Sequence, residues 1–98
     1  MACQRIDKWL WHARVVRTRS DAAALVAAGH VRLNGSRTDA PGRAIRLGDV
    51  LTVALDRSVR VLRVNAFRDR RGSAAEARAL YRDLTTSSGP GANAGDSA

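Results

Sequence analysis

Five cations within fifteen residues, Arg5, Lys8, Arg14, Arg17 and Arg19, set the chemistry open to this chain. Arg presents a planar fork that matches phosphate oxygens, and Lys adds a mobile point charge. The run Arg17-Thr18-Arg19-Ser20 stands directly before an apolar pattern that reads as a helix. Its cations would flank a helix start, where free backbone N–H groups and the helix dipole favour anions. Thr18 and Ser20 contribute hydroxyls, and Lys8 and Arg14 extend the positive surface. The pattern predicts a site for several consecutive phosphates, set against the common fate of surface cations, a solvated face. Arg32 and Arg37 flank an Asn34-Gly35 turn and are expected to widen the patch, with Arg43 and Arg46 following. A second cluster, Arg68, Arg70 and Arg71, is interrupted by Asp69 and is a weaker candidate.

Other chemistries find little support. Asp7 is the odd acid among the hook cations; in the first turn of a helix it suits the dipole and can orient Arg5 or a neighbour, a structural role. His12 and His30 have no Cys or acid at ligand spacing, so no metal site is expected. Ser20 lacks a His–acid arrangement for nucleophilic catalysis, and no GxxxxGK[ST] phosphate loop occurs. The single cysteine, Cys3, excludes an internal disulfide and is read as incidental in a frayed N-terminus. The sequence therefore predicts a non-catalytic protein without cofactors.

Composition agrees. Seventeen basic against nine acidic residues give a net charge of +8, and sixteen of the seventeen are Arg. A GC-rich genome explains much of the preference for Arg over Lys, and less of the net charge, which favours polyanionic partners. At 98 residues the chain is one domain with a modest core. No segment approaches the roughly 20 apolar residues that span a bilayer, and no signal peptide is visible, so a soluble cytoplasmic protein and a monomer are expected, with no membrane partner.

The elements that must position these groups follow from periodicity. Ile6, Trp9, Leu10 and Ala13 form one buried face of a helix from Arg5 to about Arg14, with His12 and Trp11 outside that stripe. Thr18 caps a second helix, Arg19 to about Ala28, that buries Ala22, Leu25 and Val26 and stops at Gly29. Val31-Arg32-Leu33 alternates as a strand into the Asn34-Gly35 hairpin turn. Residues 36–44 read as a loop; Ile45 and Leu47 alternate; strands follow at Val50 to Leu55 and through Val59, Val61 and Val64, with Phe67 closing the core. Ser73 to Glu76 is a capping box that opens a third helix with Ala77, Leu80, Tyr81 and Leu84 on its apolar face. The folded unit is expected over residues 1–84, with a disordered tail at 85–98.

Taken together, Arg5-Ile6-Asp7-Lys8-Trp9-Leu10, Arg14, Thr18-Arg19-Ser20, Ala24-Leu25-Val26, Gly29-His30-Val31 and the run to Asn34-Gly35 resemble the RNA-binding domain named after ribosomal small-subunit protein four, the S-four domain. Leu47-Gly48-Asp49 is similar to that domain's second strand turn. A narrower resemblance, carried by Lys8 to Trp11, Arg17 to Ser20 and the Glu76-Ala77 to Leu80-Tyr81 segment, is to the bacterial fifteen-kilodalton heat-shock family and its short ribosome quality-control relatives. The resemblance implies an α+β fold, a small S-four-like (alpha-L) domain: a two-helix hook on a small, mostly antiparallel sheet, plus a C-terminal helix. It also implies a non-enzymatic factor that binds ribosomal RNA on large subunits blocked by peptidyl-tRNA, with tRNA as a further contact. Arg5, Lys8, Arg14, Arg17 and Arg19 would be RNA contacts, and Gly29, Asn34 and Gly35 would shape the backbone. The tail from Thr85 carries no Lys or Arg, a departure from the basic C-terminal extension of the longer heat-shock relatives. Two other classes stand beside this one: an RNA-binding subunit or fragment of an RNA-modifying enzyme such as a pseudouridine synthase, and a DNA-binding regulator. The second is disfavoured by an Ala-rich second helix with few base-reading side chains.

Overall fold

Alternation of apolar side chains builds the larger sheet, and two short helices close one of its faces. The computed structural model describes residues 3–68 and 72–85. Its elements run β1 (Cys3–Arg5), α1 (Ile6–His12), α2 (Arg19–Ala27), β2 (Val31–Leu33), β3 (Ser36–Thr38), β4 (Ala44–Arg46), β5 (Val50–Ala54), β6 (Val59–Val64), α3 (Ala74–Arg78) and β7 (Tyr81–Asp83). Strands β3-β2-β5-β6-β7 form one antiparallel sheet, and β1 pairs with β4 in a separate two-stranded ribbon. This is the expected α+β architecture, a helical hook on an antiparallel sheet.

The core lies between hook and sheet. Ile6, Trp9 and Leu10 from α1 and Ala22 and Val26 from α2 meet Val31, Leu33, Leu51, Val53, Leu62 and Val64 from the strands. Trp9 is fully buried; its indole Nε1 donates to the Ala66 carbonyl at 3.1 Å, and Tyr81 meets its ring edge-on at 6.4 Å. A buried indole needs such an acceptor, so the fold fixes this ring at both its apolar body and its polar tip.

Both hook helices end in the same way. After α2, Gly29 adopts φ +83°, with Gly29 N–H donating to Val26 O and His30 N–H to Leu25 O. After α1, Arg14 takes the equivalent place at φ 59°, with Arg14 N–H donating to Trp11 O and Val15 N–H to Leu10 O. Both are Schellman closures, which favour glycine because a Cβ is strained in the left-handed region. Thr18 caps α2 as expected, its hydroxyl accepting from Asp21 N–H at 3.0 Å.

Several expectations are corrected. The third helix ends at Arg78, and Tyr81–Asp83 pairs as a strand with β6, leaving Leu84 exposed. The free edge of β6 offers a row of backbone groups, and pairing satisfies them where a longer helix would not. Thr85 belongs to the fold, since its hydroxyl accepts from Val61 N–H at 2.9 Å; the remainder of the expected tail lies outside the described residues. Ser36–Thr38 is a strand and not loop, because the Asn34-Gly35 turn returns the chain onto β2. Cys3 is exposed but held in β1, not frayed. His12 is fully buried and Trp11 half-buried beside it, their rings 5.2 Å apart, so the apolar face of α1 is wider than the stripe of four suggests. In β6 the inward residues are Leu62 and Val64, while Val59 is exposed. Leu47 is exposed, beyond the end of β4.

Leu51→Ala should lower unfolding free energy by about 2–5 kcal/mol in urea titration. Thr18→Ala should cost about 1 kcal/mol through the lost cap. The Glu76 carboxylate closes the α3 capping box, accepting from Ser73 N–H at 3.0 Å and from Arg68 at 2.8 Å. The Ser73 backbone bond first, then the Ser73 hydroxyl and Arg68, hold its pKa below the ordinary Glu value. A depressed folded-state pKa means that this contribution is complete above the unfolded value and is lost as pH falls through the folded one. Thermal midpoints measured down the acid limb should therefore fall less steeply for Glu76→Gln than for the parent chain.

Candidate nucleic-acid interface

The hook is organised around Asp7. Its side chain is only 4% exposed, beneath two guanidinium groups that face solvent. Arg5 clamps it with both ends of its fork, Nε to Oδ1 at 3.2 Å and Nη2 to Oδ2 at 3.1 Å. Arg19 Nε approaches Oδ2 at 3.9 Å from the first turn of α2. Lys8 N–H donates to Oδ1 at 2.7 Å. A single carboxylate thus ties the start of α1 to the start of α2. Because Arg5 and Arg19 keep 54% and 44% of their side-chain surface exposed, most of their N–H groups remain available to an anion. Pinning a long side chain in advance lowers the entropy lost when it binds.

Arg14 is held differently. Its Nε and Nη2 both donate to the Gly72 carbonyl, at 3.1 and 2.9 Å, which ties the bend between α1 and α2 to the approach to α3. Its first duty is structural. The side chains of Lys8 and Arg17 have no hydrogen-bond or ion-pair partner among the described residues, and Arg17, Thr18, Arg19 and Ser20 are all exposed at the start of α2. Asp21, also exposed, is the carboxylate that shares this helix turn. Asp7 therefore brings Arg5 and Arg19 together, while Lys8 lies on α1 and Arg17, Thr18 and Ser20 lie exposed around the α2 start.

Arg32 and Arg37 do not join them. They stand directly opposite each other on β2 and β3, pointing away from the face that the helices cover. The Arg37 guanidinium lies against Gly29, at the C-terminal end of α2, where a Cβ on residue 29 would collide with it. That is the negative end of the helix dipole, and α2 separates it from the hook cations by about 13 Å of helix. Arg43 and Arg46 line a hollow with Leu33, Asn34, Ala44 and Asp49. Arg68 pairs with Glu76; Asp69, Arg70 and Arg71 lie outside the described residues. Asp7 orients Arg5 as the sequence led one to expect, and the neighbouring cation that it also holds is Arg19. No cluster of three His, Cys, Asp or Glu side chains that could hold a metal occurs among the described residues. Among them, no helix is long and apolar enough to cross a membrane.

Comparison with known proteins fits this geometry. The S4 domain profile matches residues 4–51, the stretch that holds the hook and the β2–β3 hairpin. A solved chain, the trimeric heat shock protein 15 of Vibrio cholerae, superposes with a TM-score of 0.79 at 35% identity, covering 85% of this chain and 83% of that one. The chain belongs to the heat shock protein 15 family. Heat shock protein 15 of Escherichia coli K12 is 36% identical over 83 residues, and its Aeromonas salmonicida homolog 39%. These alignments take in 85% of the present chain but 62% of each relative's length. Small ribosomal subunit protein uS4 of Staphylococcus haemolyticus is 36% identical over 53 residues, 26% of its own length.

Asp7→Asn should lower stability by about 1–2 kcal/mol, the exposure of both Arg partners limiting the loss. At position 14, Ala keeps the left-handed strain and loses the Gly72 tie, whereas Gly relieves the strain; Arg14→Gly should therefore be about 1 kcal/mol more stable than Arg14→Ala in chemical denaturation.

Proposed function

We propose that this chain is a non-catalytic, cytoplasmic RNA-binding factor that engages ribosomal RNA on large ribosomal subunits obstructed by peptidyl-tRNA, in ribosome-associated quality control or the heat-shock response. The observation that carries the reading is the Asp7-anchored group of cations beside the open start of α2. The S4 domain and the heat shock protein 15 relatives support it, and the uS4 relative is itself named as a ribosomal protein. Peptidyl-tRNA is a further contact in this reading.

Binding would be electrostatic capture of phosphates. Backbone N–H groups at the helix start and the pinned guanidinium forks fit consecutive phosphate oxygens. The hook is short, and its contact groups are chiefly cations and hydroxyls. It therefore recognises folded RNA by backbone and shape more than by base sequence. One copy per RNA site is the proposed stoichiometry, and analytical ultracentrifugation of the free chain tests it against a trimer.

On sucrose gradients the parent chain should comigrate with large subunits, and the Arg17→Ala/Arg19→Ala variant should shift to the top. Equal comigration would defeat the hook assignment. With about four or five phosphates covered, log affinity should fall with log salt at a slope of roughly −3 to −5, and a slope near zero would exclude the mechanism.

A further inference from the structure

We infer that the outer face of the five-stranded sheet, which points away from the hook, is a second phosphate-binding surface that takes the backbone of double-helical RNA. The register builds this face. Leu33, Leu51, Val53, Leu62 and Val64 point into the core, so their neighbours Arg32, Val50, Thr52, Ala54, Val61 and Arg63 point out. Arg37 faces out opposite Arg32, and Arg82 opposite Arg63. No carboxylate occupies an outward position on any of the five strands. None of the four guanidinium groups has a hydrogen-bond or ion-pair partner among the described residues.

Two features set this apart from ordinary surface charge. First, like charges directly opposite on neighbouring strands repel, yet the face carries two such pairs, Arg32 with Arg37 and Arg63 with Arg82. Elsewhere, Arg5, Arg60 and Arg68 are each paired with an acid, to Asp7, Asp83 and Glu76. An anion seated between each facing pair removes the repulsion. Second, the pairs bracket a neutral strip. Between them lie Val50, Thr52 and Ala54 on β5 with Val59 and Val61 on β6, and a depression of about 260 Å³ opens beside Arg32, Thr52 and Val59. Two strand spacings, about 10 Å, separate β2 from β6. A surface with cations along both margins and a neutral middle matches the wide, shallow minor groove of an A-form helix, which has phosphates on either side and 2′-hydroxyls within it. Thr52 offers those hydroxyls a polar partner.

This surface extends the RNA-binding reading of the hook, and the test separates the two. Fluorescence titrations would use the full chain and a labelled RNA duplex of about 16 base pairs. They would compare the parent, the hook variant Lys8→Ala/Arg17→Ala, the face variant Arg63→Gln/Arg82→Gln, and the combination. The face variant should bind roughly fivefold or more weakly, with the salt slope shallower by about 1.4 to 1.8. Its losses should multiply with those of the hook variant, and its thermal midpoint should not fall. On the unmutated chain, duplex RNA should protect Arg63 and Arg82 from phenylglyoxal. A face variant that matches the parent in affinity and slope, with no protection, while the hook variant weakens, overturns the inference and leaves the hook reading standing. Loss in neither variant, or a parent slope near zero, overturns both. Self-association that disappears in the face variant while its duplex binding is unchanged would make the face a contact between copies and would also overturn the inference.

Discussion

A carboxylate with almost no exposed surface holds the hook in its working shape. Asp7 accepts the fork of Arg5 and the approach of Arg19, and the two cations come from different helices. The two helices also share one buried cluster, with Ile6, Trp9, Leu10 and Ala13 from the first segment and Ala22 and Val26 from α2. The carboxylate fixes where the α2 start sits relative to the α1 start. It also offsets repulsion between two like charges, so that Arg5 and Arg19 can stand close together with most of their donors outward. A neutral side chain at position 7 would leave those charges free to separate.

The arginines divide by what they face. Arg5, Arg14, Arg60 and Arg68 spend donors on protein oxygens, and each of these bonds joins elements or positions a turn. Arg60 also stacks over the Tyr81 ring at 5.4 Å, while Tyr81 meets Trp9 edge-on, so the edge strand β7 is tied to the hook through an aromatic relay. Lys8, Arg17 and the outward arginines of the sheet have no such internal partner among the described residues. Structural guanidinium groups anchor the frame, and unpaired cations define its exterior potential. A single count of basic residues merges these roles.

Local signals in the sequence were the legible ones. The helix faces through Ile6, Trp9, Leu10 and Val26, the Thr18 cap, the Gly29 stop and the Asn34-Gly35 turn all depend on residues within a few positions of one another, and each stands as expected. Pairings between distant segments were not legible. The β1–β4 ribbon joins Gln4 to Ile45, and β7 competes with a helix whose capping box is intact. Arg14 hid its left-handed backbone because the residue type gives no warning where glycine would. Proximity in sequence grouped Arg32 and Arg37 with the hook cations, whereas the strands set them opposite each other on β2 and β3. A strand turns alternate residues to opposite faces, so nearness along the chain does not decide which surface a charge joins.

Charge and stability are therefore coupled in this domain. A net charge of +8 on 98 residues opposes compaction through self-repulsion. The core that resists it is a thin layer between two short helices and one sheet face. The opposed pairs on the outer face add repulsion at the level of single side chains. A polyanion that held the folded arrangement of cations more tightly than the scattered ones of the unfolded chain would relieve both terms at once. At a ligand concentration about a hundredfold above its Kd, that linkage contributes roughly 2.7 kcal/mol. For a domain of this size that is a substantial share of the total. The opposed cations that a polyanion would neutralise are the same ones that add repulsion to the free protein.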